Sequence, residues 1–174
     1  MLTCRCTAKV FKRLKVKPSD APPASSGRLG DWYVNLLYWQ PQVLLCVSER
    51  TLLPVIIPAK DGSSFPARLA ASAQVLLREI GIPETLVDEE LAAMQPVALA
   101  KTADRRVLGS MNEFAFLAEA TLAYEPAMGL HRLALRLSLT PCGPLKLIFP
   151  VDATRDLFGE HRLSPAEFRE LEGR

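Results

Sequence analysis

The sequence predicts an α+β fold, an antiparallel meander sheet packed against several helices in a single domain. Three observations carry that reading. The chain has 174 residues, of which 49% are hydrophobic and 23% charged, a size and balance suited to one core without metal or disulfide staples. Three segments of β-type composition follow one another between Asp31 and Ile57 with short connections, the signature of a meander. From Leu69 onward apolar residues recur at helical spacing.

Taken in order, Leu2–Thr7 alternates like a short strand, and Thr7 is placed to cap a helix from Ala8 to Lys15 with Val10, Phe11 and Leu14 on one side. Pro18–Gly27, PSDAPPASSG, has the composition of an extended, mobile loop. Asp31–Trp39 reads as a strand, Gln40-Pro41 as a turn, and Gln42–Ser48 as the returning strand. Thr51–Ile57 is the third, with Pro54 directing it to a sheet edge. Leu69, Ala73, Leu76, Leu77 and Ile80 mark a helix that Gly81 closes. Pro83 opens the next helix, with Val87, Leu91 and Met94 in register. Gln95–Lys101 is a short strand, and Ser110 is expected to start a further helix. In Leu130–Thr140 the leucines fit both a strand and a helix. Residues 159–174 form a charged C-terminal extension, with a short helix over Ser164–Glu172 and little core-facing periodicity. That tail is expected to be dispensable for folding, leaving residues 1–158 as the domain.

The net charge of +2 names no partner, but its distribution is uneven. Arg5, Lys9, Lys12, Arg13, Lys15 and Lys17 fill the first seventeen residues with no acid among them, a basic arm able to touch phosphates and equally a solvated helix face. A second basic group leads into the Ser110 helix. Lys101, Arg105 and Arg106 precede Ser110-Met111-Asn112-Glu113, which has the spacing of a capping box. A helix N-terminus favours an anion, so Lys101, Arg105, Arg106, Ser110 and Asn112 form the candidate anion site. The competing reading is a structural cap, with the Glu113 carboxylate already in place. In a second candidate patch, Asp31, Tyr33 and Asn35 share one face of a strand by alternation, and Tyr33 with Arg28 is available for stacking.

Several chemistries lack their motifs. Neither nucleotide-cradling glycine loop is present, no GxSxG elbow occurs, and His131 and His161 have no neighbours of triad type. Cys4, Cys6, Cys46 and Cys142 show no CxxC pair, and they read as small buried hydrophobes rather than metal ligands. Glu84, Asp88, Glu89 and Glu90 read as a solvated helix face. No metal and no cofactor is expected. The absence of an apolar run of spanning length and of a secretory h-region predicts a cytoplasmic protein that does not enter a membrane.

The boxes LTCRCTAKVFKRL, RLGDWYVNLL, SERTLLPVIIPA and KTADRRVLGSMNEFAF together resemble a bacterial family, a domain of unknown function, over about residues 1–150. The resemblance implies one domain in an intracellular setting, and a helix rather than a strand over Leu130–Pro141. It lends no activity. The favoured expectation is a non-enzymatic or regulatory binding module with an anionic partner, a phosphate-bearing ligand or nucleic acid. The alternatives are a phosphate-handling enzyme using the Lys101–Asn112 segment and a protein-interaction module working through the Trp32–Trp39 strand.

Overall fold

The computed structural model describes all residues, Met1–Arg174. Five strands, β1 (Leu2–Cys6), β2 (Trp32–Leu37), β3 (Val43–Ser48), β4 (Pro54–Pro58) and β5 (Val97–Lys101), form one mixed sheet in the order β4-β3-β2-β1-β5. The expected meander is its β2-β3-β4 half, antiparallel throughout. The purely antiparallel expectation fails for the other half, because β1 runs parallel to both β2 and β5. Parallel neighbours need a crossover of a dozen or more residues, and the α1 (Ala8–Leu14) helix with the loop after it supplies one between β1 and β2. The pairing Leu2↔Val97 joins residues distant in sequence, for which no local pattern exists.

Helices cover both faces. Even positions of β2, Trp32, Val34 and Leu36, join Cys4, Cys6, Leu44, Cys46 and Ile57 under α1, α2 (Phe65–Glu79) and α3 (Glu84–Ala93). The opposite face, with Tyr33, Leu37, Leu45, Val47 and Ile56, packs under α4 (Arg105–Tyr124) and α5 (Leu130–Ser138). Pro54 does fall on an edge strand, as its missing N–H requires.

Along that edge lies α5, which resolves the ambiguity of its leucines. Leu133 and Leu137 enter one core while Leu135 and Leu139 enter the other. Alternating leucines are thus two i,i+4 stripes on opposite sides of one helix, both buried because the helix sits where the two layers meet.

Three local expectations are corrected. The Pro18–Gly27 loop is extended but tied down: the Ser19 amide donates to the outward-facing Leu99 carbonyl of β5 at 2.6 Å, Thr3 Oγ1 donates to the Pro23 carbonyl at 2.6 Å, and Ser25 Oγ accepts from the Thr3 amide. The segment therefore straps the open edge of the sheet at β5. Thr7 sits at the N-cap of α1, but its hydroxyl donates to Asn35 Oδ1 instead of accepting from the helix. Glu90 does not belong to a solvated face. It is 2% exposed and accepts the backbone amides of Arg28 and Leu29.

The C-terminal segment is docked. Beyond α6 (Pro150–Leu157), α7 (Pro165–Gly173) begins with a capping box in which Ser164 and Glu167 exchange hydrogen bonds. Leu171 is buried in the main core, and Phe168 packs on Phe149 with centroids 5.0 Å apart. Arg132 of α5 donates to the Leu171 and Glu172 carbonyls, while the buried Arg155 holds the His161 carbonyl. Its charged composition concealed the apolar stripe of Leu163, Phe168 and Leu171.

Candidate functional site

The helix that carries the predicted anion residues starts earlier than its Ser110 spacing implied. Asp104 is the N-cap of α4, accepting the Arg106 amide at 2.7 Å. Ser110 lies one and a half turns inside, buried, with its hydroxyl donating back to the Arg106 carbonyl. The capping-box reading of Ser110 and Glu113 is therefore wrong. The acid directly before the arginine pair was the better signal, since Asp competes equally well for the cap. The carboxylate at this helix end is the chain's own. Bonds from the Arg106 side chain and amide hold Asp104 below the usual aspartate range.

The five predicted residues do not converge. By strand alternation Lys101 shares the side of Val97 and Leu99, which pack toward the α1 layer. Arg105 and Asn112 project, exposed, from the outer face of α4. Arg106 turns the other way, pairing with Asp104 at 2.8 Å and keeping most of its side chain in solvent.

The second patch is consumed by structure. Tyr33 is 1% exposed and cannot stack a ligand; its hydroxyl accepts the Asp104 amide at 3.0 Å, the one hydrogen bond between the two predicted stretches, and its ring packs in one core with Val107 and Met111. Burial raises its pKa, and the Asp104 amide partly opposes that. Asp31 is buried against Arg5 at 2.6 Å and accepts Ser25 Oγ. Asn35 takes the Thr7 hydroxyl. Arg28 pairs with Glu89 and lies over the Phe158 ring. The strand itself has β1 on one side and β3 on the other, so it offers no free edge to another chain.

Two features stand out instead. The first is electrostatic. Every ion pair in the chain draws its base from an arginine or a histidine. Lys9, Lys12, Lys15 and Lys17 on and after α1 have no acidic partner, and neither does Lys101, which stands beside the last residue of β1. Arg13 bonds only the Gln42 amide oxygen. Lys9 Nζ lies 5.3 Å from the centroid of Tyr38, whose ring is 60% exposed. The unbroken run of bases at the start of the sequence was the signal for this surface.

The second is a cavity of about 300 Å³ between the β3–β4 turn and the first turn of α4. It is lined by Glu49, Arg50, Leu52, Arg106, Val107, Pro144 and Leu145. Only Arg106 among these was foreseen, because the cavity joins three segments far apart in sequence.

All four cysteines are buried free thiols. Burial pushes Cys6 and Cys142 up to about 12, so they are poor nucleophiles at neutral pH. His131 and His161 face Glu79 and Glu167. No group of three or more His, Cys, Asp or Glu side chains is arranged to hold a metal, and no helix is long and apolar enough to cross a membrane.

Residues 3–153 match the family model described as Domain of unknown function (DUF6933), and the chain belongs to that family. No curated protein and no solved structure matches it.

Proposed function

We propose that this domain is a non-enzymatic binding module for a phosphate-bearing partner, single-stranded nucleic acid foremost, engaged through the α1 surface. The observation that carries the reading is the unpaired lysine set of that surface, Lys9, Lys12, Lys15 and Lys17 with Lys101, in a chain where seven of the fourteen arginines are paired with acids and these lysines are not. Unpaired ammonium groups remain free to displace counterions from phosphates. Tyr38 adds a solvent-facing ring among these charges, the combination of cationic groove and stacking platform used for unpaired bases. The site thus moves from the α4 end, where Asp104 neutralises Arg106, to the opposite face of the sheet.

The test is fluorescence anisotropy with a labelled single-stranded oligonucleotide over a salt series. Each phosphate contact contributes about −0.7 to the slope of log affinity against log salt, so Lys12→Ala and Lys15→Ala should each flatten it by about that amount. Tyr38→Ala should weaken binding by about 1–3 kcal/mol at every salt concentration. Equal affinity of all three variants and the unmodified protein, or no binding at low salt, would refute the reading.

A further inference from the structure

We propose that the cavity between the β3–β4 turn and α4 is a second site, for a small zwitterion: an apolar amino acid or a molecule presenting the same carboxylate, ammonium and apolar side chain. It is separate from the nucleic-acid reading, and no residue of one site belongs to the other.

The argument begins with the groups on the rim. Arg50 spends one donor, Nη1, on the Arg28 carbonyl, leaving the rest of its guanidinium uncommitted. Arg106 gives Nε and Nη2 to Asp104, so its Nη1 is free. Glu49 accepts only a long bond, 3.5 Å, from the Asp31 amide. Two guanidiniums with open donors therefore stand beside a carboxylate with an open acceptor. Arg50, Arg106, Glu49 and Asp104 sum to zero charge, so a ligand with one charge of each sign leaves no excess, whereas a simple anion meets Glu49 without compensation. Guanidinium binds a carboxylate with planar, paired donors, and Glu49 is left to receive the ammonium.

Leu52, Val107, Pro144 and Leu145 form the apolar part of a mixed lining, and the cavity volume of about 300 Å³ falls at the small end of ligand clefts. The backbone around it is unusual. Leu52 adopts φ 55° although it is buried, and Lys146 and Leu147, directly after Leu145, adopt φ 55° and 64°. Left-handed conformations in bulky residues cost free energy and persist where their surroundings hold them, often beside ligand sites. Three of the chain's four such non-glycine residues flank this one cavity. The Tyr33 hydroxyl fixes the Asp104 amide next to it, so the arginine rim is held to the sheet.

The experiment is titration of the isotopically labelled protein with L-phenylalanine, 3-phenylpropionate and phenethylamine, following the methyl resonances of Leu52, Val107 and Leu145. L-Phenylalanine should shift those methyls saturably and bind about tenfold more tightly than either single-charge analogue, since each analogue forfeits one charge-assisted contact. Arg50→Gln and Glu49→Gln should each weaken it by about tenfold, with unchanged spectra elsewhere showing that the fold is kept. Absence of saturable shifts at about 1 mM ligand, shifts confined to other residues, or 3-phenylpropionate binding as well as L-phenylalanine would overturn the proposal. None of these results bears on oligonucleotide binding at α1.

Discussion

Glu90→Ala should be the most damaging single substitution of a polar residue in this protein. The carboxylate is 2% exposed and accepts the Arg28 amide at 2.7 Å and the Leu29 amide at 3.1 Å. Those amides belong to the turn that delivers the chain into β2, and Leu29 is wholly buried beside them. The fit is close, since a Cβ on Gly27 would collide with Glu90 Oε1. A hydrogen bond to a charged group contributes about 1.5–3 kcal/mol, and truncation leaves both donors without a partner. Two such bonds to the two oxygens of one carboxylate are not additive, which brings the expected loss to about 3–5 kcal/mol, against a total stability of about 5–15 kcal/mol.

Urea unfolding followed by Trp32 and Trp39 fluorescence measures it. With a slope of about 2 kcal/mol per molar, the midpoint should fall by about 2 M. Glu90→Gln retains one acceptor and the side-chain volume and should fall by about half as much, with the slope unchanged. A Glu90→Ala midpoint within about 0.3 M of the unmodified protein would show that water replaces the carboxylate at no cost and that the turn is not held as described.

Asp104→Ala should cost about 0.5–2 kcal/mol through loss of the α4 cap, while Ser110→Ala should stay within about 0.5 kcal/mol; the reverse order in thermal or urea unfolding would restore Ser110 as the cap. Because the folded pKa of Asp104 is depressed, its contribution is complete above the ordinary aspartate value of about 3.9 and is lost as pH falls through the lower folded value, so the gap between Asp104→Ala and the unmodified protein should close in acid. In the C-terminal helix, Leu171→Ala should cost about 2–5 kcal/mol as a buried large-to-small change, and deletion of residues 164–174 at least as much; an unchanged urea midpoint for both would make the tail dispensable after all.

Much of the fold was legible in the sequence by itself. The aromatic and branched composition of Trp32–Leu37 and Val43–Ser48, helical spacing from Leu69 to Leu77 and the proline at the start of β4 are local signals, written over a handful of residues, and each element formed where they place it. The basic run at Lys9–Lys17 was equally plain. Its freedom from acidic partners was not, because pairing depends on which carboxylates the fold brings near, and they go to arginines elsewhere.

Only the tertiary structure decided the parallel half of the sheet, since β1 meets β5 through hydrogen bonds between backbones that no side-chain pattern encodes. It also decided which of two plausible caps α4 uses: Asp104 and Ser110 have equal intrinsic capping ability, and the Tyr33 hydroxyl, by taking the Asp104 amide, fixes the helix start at Asp104. The same holds for the cavity, whose lining residues Arg50, Arg106 and Leu145 come from separate segments. A sequence states what each residue can do alone. Which of them share a space follows from long-range packing, and that is what docks the tail and buries Glu90.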